Sequence, residues 1–520
     1  FDQYAFPALR IMEVIVPAEP FHVQILNSCD RHGCAIALTD ADSKRSLTFQ
    51  DVKMLSNRLA SVFKKIGVEK GEIVLCCLPN CLEYPILFLG LAMNGSVLSG
   101  VPSDLKNYEL TAYIQQTRAR FIVACSEQAE RLQGLEGVKM LLIETLLEPA
   151  PSDGLEGEFS SDVNIGPDSI LLAPFSSGTT GTPKCALLTH DNYSAATASL
   201  KAGLFDGLNV RKESTLAMLP FYHASGFWAL LYCLMEGHHS IIVRGFSVGL
   251  MLELIEKYEI SIINVVPSIV VVLARVEQPM PSLRIVLCGS APLGKELSEA
   301  LLQRHPNIEH LIQGYGMTEV VVLSHATPPS TAIARGKYGS CGKLLTGFEA
   351  RIVNELGEQV EAGETGELLL RGRAVIRSYL VPGCPLDKDG WLRTGDLVRV
   401  DNDGFYFIVD RLKDVFKVHG KQVSPAEIED LLLSHTAIAQ AAVIGIPDEH
   451  AGHVPRAFIV LRVEESSETV QEIAQFVKDR LSPHKHLKGG IRVVDDLPIS
   501  SSGKVLRRVL QEQSMEVSEP

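Results

Sequence analysis

The eleven cysteines contain no Cys-x-x-Cys pair, and their number is odd and their spacing scattered. That pattern argues against a disulfide framework or a zinc ribbon and predicts reduced, buried thiols. The fifteen histidines lack metal-ligand spacing as well: His238-His239 and the His450/His453 pair come nearest, and surface or capping roles suit them better. Long apolar runs are missing. Ile262 to Ala274 and Pro85 to Met93 fall short of a membrane span, and the first contains Pro267. Positive charge is in deficit, with 48 Lys and Arg against 62 Asp and Glu and a net charge of −14, which argues against nucleic acid or an anionic membrane as partner. No signal peptide is visible, so the expected compartment is the cytoplasm. A peroxisomal one stays open, although Val517-Ser518-Glu519-Pro520 is not a Ser-Lys-Leu type signal. In so acidic a chain, a phosphorylated ligand has to be met by local lysines.

One such place stands out. Phe175-Ser176-Ser177-Gly178-Thr179-Thr180-Gly181-Thr182-Pro183-Lys184 has the composition of an anion cradle. Its two glycines let successive N–H groups turn toward one point, the hydroxyls add donors, and Lys184 adds a full charge. Ser169 to Ala173 and Cys185 to Leu188 read as strands on either side. The phosphate loop of kinases and GTPases, G-x-x-x-x-G-K-[ST], does not match: Pro183 precedes the lysine and Cys185 follows it. No helix opens directly behind the loop to lend its dipole. The alternative is a polar turn that holds nothing.

At 520 residues the chain should divide into two to four units. The first part alternates strand and helix, with Glu72 to Leu78 and Phe121 to Cys125 as buried strands and Cys81 to Met93 as a core helix. This alternation predicts layered α/β sheets. Glu148 to Asp168 reads as an exposed connection, and Asp191 is the expected cap of a helix reaching about Lys201. Leu219 to Trp228 places His223 among aromatics, where a packed role is the ordinary one. Ile260 to Val266 is a strand ended by Pro267, and Leu283 to Gly289 is a strand followed by a helix aligning Leu293, Leu297 and Leu301. After a strand at His310 to Ile312 comes Gln313-Gly314-Tyr315-Gly316-Met317-Thr318-Glu319. Glycines around a tyrosine let backbone approach a flat ligand, and Thr318 and Glu319 sit close enough to meet phosphate and a metal on it. Gly339 to Phe407 reads as a small β-barrel carrying Thr394-Gly395-Asp396. Asp410 to Lys421 is locally basic, Ser424-Pro425-Ala426-Glu427 is a capping box, and a compact βα unit follows, ending in the polar Ser500 to Lys504 loop.

In order and spacing, the Ser176 to Lys184 loop, the Gln313 to Glu319 segment, Thr394-Gly395-Asp396, Asp410-Arg411-Leu412-Lys413 and Ser502-Gly503-Lys504 resemble the AMP-forming adenylating enzymes. That superfamily comprises acyl-CoA synthetases, nonribosomal adenylation domains and luciferases. Gly289 to Leu293, Gly366-Glu367-Leu368 with Arg371-Gly372, and Lys417 to Val423 are similar to the 4-coumarate–CoA ligase-like branch. The resemblance covers nearly the whole chain. It implies a large N-terminal domain, 1–409, of layered α/β sheets with a β-barrel over about 339–409, then a hinge at 410–413 and a small mobile α+β domain over 414–520.

The resemblance also implies ATP, Mg2+ and coenzyme A, with a small-molecule carboxylic acid as substrate. Ser176, Ser177, Gly178, Thr179, Thr180, Gly181 and Lys184 would hold the β- and γ-phosphates. Thr318 would meet the α-phosphate side and Glu319 the metal. Ser290, Ala291 and Pro292, with Gln313, Gly314, Tyr315 and Gly316, would frame adenine, while Asp396 with Arg411 would take the ribose. Lys504 would reach the carboxylate and α-phosphate, Lys413 would mark the hinge, and His223 would line the acid's pocket. Lys417, His419, Gly420 and Gln422 would flank a pantetheine channel. Cys185 stands where the family usually has glycine, and Ser225 stands where coumarate ligases carry an aromatic, with Trp228 adding bulk nearby. The acid therefore stays open among fatty, branched and aryl types. A carrier-protein loader and a luciferase-like oxygenase share these motifs, and a monomer and a homodimer are equally open.

Overall fold

The computed structural model describes residues 14–148, 164–176, 184–208, 210, 213–329, 332–381, 384–499 and 505–515. Four sheets organise them. In the first, six strands run parallel in the order Ile36–Asp40, His239–Ile242, Ser214–Ala217, Ile262–Val265, Ile285–Cys288 and His310–Tyr315. Short antiparallel strands finish both edges. The second sheet is parallel across Lys139–Leu142, Phe121–Ala124, Ile73–Cys76, Val97–Gly100 and Ile170–Leu172. It then turns antiparallel through Lys184–Thr189.

The strands are short continuous apolar runs, as parallel strands covered on both faces must be. Ile73–Cys76, Val97–Gly100 and Phe121–Ala124 are buried at every position. The Glu83–Met93 helix is buried at all positions after its first and is apolar all round, as a helix packed on every side requires. One core cluster draws on both large sheets and on this helix. All eleven cysteines are free: eight are buried, Cys125 is half-buried, and Cys34 and Cys384 are exposed.

The expected strands and helices are present, with informative differences. The helix after the Lys184–Thr189 strand spans His190–Gly203 and is capped by Thr189, not Asp191. Thr189 Oγ1 accepts from the Asn192 amide and Asn192 Oδ1 accepts from the Thr189 amide, while the buried Asp191 carboxylate pairs with Arg373. At Ser424 only half of the capping box forms. Ser424 Oγ accepts from the Glu427 amide, but the Glu427 carboxylate takes the Lys485 ammonium instead of returning the bond. Leu293 and Leu301 are buried as expected, although the helix itself begins at Lys295.

The short strands expected over 339–409 form a four-stranded antiparallel sheet: Phe348–Val353, Thr365–Gly372, Leu392–Val400 and Tyr406–Arg411. Ser378–Tyr379 leaves that region and pairs with Lys184–Thr189, placing Tyr379 opposite Ala186. The last sheet is built from Phe416–Val418, Lys421–Val423, Ile438–Asp448, Gly452–Leu461 and Ile491–Val493. Its apolar cluster uses residues from Phe416 onward alone, with Ile428, Leu432, Ile473 and Val477 supplied by covering helices.

Candidate active site

The strand ending at Tyr315 is longer than its apolar core suggests, and Gln313, Gly314 and Tyr315 all lie on it. Gln313 is buried and donates from Nε2 to the Leu293 carbonyl at 3.0 Å, which ties this strand to the Ser290-Ala291-Pro292 turn. That turn is exposed, and Ser290 adopts φ +73°, a conformation an L-residue holds only under local constraint. Gly316 has to be glycine. A Cβ there would lie 1.8 Å from the Val322 carbonyl oxygen, in backbone that has just turned through Val321 at φ +69°.

Beyond Gly316 the chain makes a single 3-10 turn, Thr318–Val320, packed on Phe175–Ser176 and Lys184–Thr189, the strands on either side of residues 177–183. Glu319 is therefore buried, at 5% exposure. Its Oε1 accepts the Tyr379 hydroxyl at 2.9 Å, and the Lys184 ammonium lies 5.4 Å from the centre of the Tyr379 ring. A buried carboxylate given a neutral donor, beside rather than against a cation, is a hard oxygen donor suited to magnesium.

On the other side of the same segment, the Tyr315 hydroxyl donates to Asp396 Oδ2 at 2.6 Å. Asp396 stands directly opposite Arg411 in the antiparallel register, and Arg411 Nε lies 3.1 Å from Oδ1. Burial first, then the Asp396 charge, pushes the Tyr315 phenol well above its usual range, so it stays a donor. Thr394 fixes the turn by accepting from the Asp396 amide and donating to the Leu368 carbonyl.

Of the expected site residues, the structure thus gathers Ser176, Lys184, Thr318 and Glu319 at one end, and Gln313, Gly314, Tyr315, Asp396 and Arg411 at the other. Ser177, Gly178, Thr179, Thr180, Gly181 and Lys504 lie outside the described residues. Cys185 fits without strain: it is buried, its Sγ lies 3.5 Å from the Ala173 carbonyl oxygen, and burial pushes the thiol up to about 12. His223 holds the N-cap position of the Ala224–Glu236 helix, with its ring 4.4 Å from that of Tyr222. Ser225 is exposed on the first turn. Trp228 does not crowd that end: its Nε1 donates to Thr197 at 2.9 Å and its ring stacks on Tyr232 and Phe205.

Lys413 is exposed in the turn after the Tyr406–Arg411 strand. Lys417 is exposed on a hairpin whose two-residue turn is His419-Gly420, at φ +49° and +76°, the paired left-handed geometry that matches strand twist. Gln422 faces Lys417 across the ladder.

Two contributors carry no local sequence signal. Tyr379 reaches Glu319 from sixty residues away, out of a two-residue strand. Asn80 accepts from the Phe221 amide and donates to the Leu219 carbonyl, fixing the turn before His223. Only an unusual Tyr in a short run between glycines and prolines could have hinted at the first.

The Gln313 to Glu319 segment thus ties Asp396 and Arg411 at one end to Tyr379, Glu319 and Lys184 at the other. Comparison with known proteins places the chain in a class. The family model described as "AMP-binding enzyme" matches residues 26–380, and "AMP-binding enzyme C-terminal domain" matches 427–504. The chain is 34% identical over 499 residues to 4-coumarate–CoA ligase of Pinus taeda, covering 91% of each. It is 33% identical over 529 residues to 4-coumarate–CoA ligase 1 of Petroselinum crispum, covering 96% of this chain and 95% of the relative. Among solved structures, o-succinylbenzoate CoA synthetase of Bacillus subtilis with its acyl-adenylate intermediate superposes at a TM-score of 0.84 and 27% identity, over 95% of this chain and 99% of the other. The same synthetase is also known with ATP and a magnesium ion. The chain belongs to the AMP-binding enzyme family. No described helix is long and apolar enough to cross a membrane.

Proposed function

We propose that the chain is an ATP-dependent, AMP-forming acid–CoA ligase, in which the Gln313 to Glu319 segment aligns ATP between Asp396 and Lys184. The observation that carries this reading is the double use of one short segment: Tyr315 is bonded to Asp396, and four residues on Glu319 is bonded to Tyr379 under Lys184.

In the first step the substrate carboxylate attacks the α-phosphorus in line and pyrophosphate leaves. Asp396, held by Tyr315 and Arg411, accepts from the ribose hydroxyls and fixes the sugar. The backbone of Gly314 and Tyr315 and the Ser290-Ala291-Pro292 turn frame adenine. Lys184, with the Ser177 to Pro183 loop, steadies the departing phosphates, and Thr318 and Lys504 stabilise charge as it grows on the α-phosphoryl oxygens. Glu319 would hold magnesium, which when bound would supply Lewis-acid neutralisation of phosphate charge. His223 lines the acid's pocket at the start of its helix. In the second step the coenzyme A thiolate attacks the acyl-adenylate carbonyl and AMP leaves, with Lys417, His419, Gly420 and Gln422 flanking the pantetheine.

The chain divides at 410–413 into a larger unit, 1–409, and a smaller one, 414–520, that turns about Lys413 between the steps. The bonding around this segment supports the division. Arg411 reaches back to Asp396, Asp410 accepts from Ser424 and from the Ala426 amide, and Asp414 lies 3.6 Å from Arg507 on the last helix. An aryl acid suits the 4-coumarate–CoA ligase relatives, with Ser225 leaving room for a substituent unlike theirs. Free thiols throughout and a net charge of −14 favour the cytoplasm and no nucleic-acid partner. The test is a panel of aryl, branched and fatty acids with ATP, magnesium and coenzyme A, read as thioesters by mass. A panel giving neither thioester nor AMP would overturn the assignment.

A further inference from the structure

We infer that Tyr379 is a positioning residue that keeps Lys184 and Glu319 apart and aims the Glu319 carboxylate at the metal; this rests on the reading above. Lys184 and Glu319 carry opposite charges on neighbouring elements, because the Thr318–Val320 turn packs on the strand that Lys184 begins. Two such groups, one of them in a buried carboxylate, gain strongly by collapsing into an ion pair. A collapsed pair would neutralise both groups and leave neither for phosphate or metal.

Tyr379 occupies the place where that pair would form. Its hydroxyl donates to Glu319 Oε1 at 2.9 Å, and its ring face carries the Lys184 ammonium at 5.4 Å from the centroid. The ring cannot drift, since the strand holding it is laced to both partners' elements. Tyr379 pairs with Ala186, the Leu380 amide donates to the Cys185 carbonyl at 2.9 Å, and the Ile376 amide donates to the Glu319 carbonyl at 2.8 Å. One side chain thereby orients a carboxylate through an edge hydrogen bond and parks a cation on its face.

Two variants of the full chain separate the two jobs. Tyr379→Phe keeps the ring and loses the donor; Tyr379→Leu loses both. ATP affinity is measured by calorimetry with and without magnesium, beside the thermal unfolding midpoint. For the Phe variant, metal-free ATP affinity should stay within about twofold of the parent. The enhancement by magnesium should fall on the order of tenfold, the worth of one hydrogen bond to a charged group. For the Leu variant, metal-free ATP affinity should also fall about tenfold or more as Lys184 turns to Glu319, and adding Glu319→Gln to it should restore metal-free binding. A Phe variant with the parent's magnesium dependence would overturn the proposal. So would a Leu variant that binds metal-free ATP as the Phe variant does, or a triple comparison without rescue. A lowered midpoint with unchanged magnesium dependence would mark Tyr379 as a packing residue only. These binding measurements need no carboxylic acid, so they stand apart from any failure of the acid panel.

Discussion

Asp396→Asn keeps the shape of the side chain and removes its charge, and Tyr315→Phe removes the matching donor. In the native chain the Tyr315 hydroxyl lies 2.6 Å from a carboxylate that is 4% exposed. A hydrogen bond to a charged group contributes roughly 1.5–3 kcal/mol and a neutral one about 1 kcal/mol, so the Asn variant weakens this contact by about 0.5–2 kcal/mol. The Arg411 contact adds little, since that side chain is 37% exposed and solvent screens it. If Asp396 also accepts the ribose hydroxyls, the same weakening falls on ATP and raises its KM about tenfold in acid-dependent ATP–pyrophosphate exchange. Tyr315→Phe should raise that KM about fivefold, through looser orientation of the carboxylate alone, and should lower stability to urea by roughly 1.5 kcal/mol. Because both substitutions act on one shared contact, the double variant should fall short of the summed losses by about 0.5–2 kcal/mol. Losses that add to within about 0.3 kcal/mol would show that the pair does not act as a unit. An unchanged KM for ATP in the Asn variant would remove Asp396 from the sugar.

Burial holds His22 down at about 4 and holds His190 and His325 at about 3, His190 being lowered further by His22. These values lie below that of an unfolded histidine, so the unfolded chain takes protons first. The associated stability is complete above about pH 6.5 and falls as pH drops, by up to about 1.4 kcal/mol per pH unit for each histidine. The urea midpoint should decline between pH 7.5 and 5, and His325→Gln should flatten the decline; a level profile in the parent chain refutes this. Gly316→Ala should cost about 3 kcal/mol and abolish exchange, since backbone has to move to admit the methyl. Gly420→Ala meets open space and pays only for its left-handed φ, about 1–2 kcal/mol, and should slow thioester formation while sparing exchange. Lys504→Ala should abolish exchange with ATP binding retained; unchanged exchange would discard its role.

The parallel strands were legible because each is a short apolar run between turn residues, and the Gln313 to Glu319 segment because its chemistry is contiguous. What escaped the sequence depends on partners far along the chain. Thr189 could cap the helix because its strand runs one residue further than the apolar pattern, which turned Asp191 toward Arg373, 182 residues on. Glu427 abandoned its local partner for Lys485 because an ammonium was brought within reach by folding. Tyr379 was silent for the same reason: a two-residue strand has no periodicity, and only the pairing with Lys184–Thr189 sets its ring beneath the lysine.

The distribution of sulfur has a practical corollary. No cysteine follows Cys384, so the entire hairpin-bearing region around Lys417 is thiol-free. Once Cys34 and Cys384 are capped or replaced, the thiols left in the folded chain are shielded apart from the half-buried Cys125. A single cysteine installed near the His419-Gly420 tip would then take up a fluorophore or spin label with little competition. The turn proposed for the 414–520 unit would then be read as a change in that label's signal during turnover.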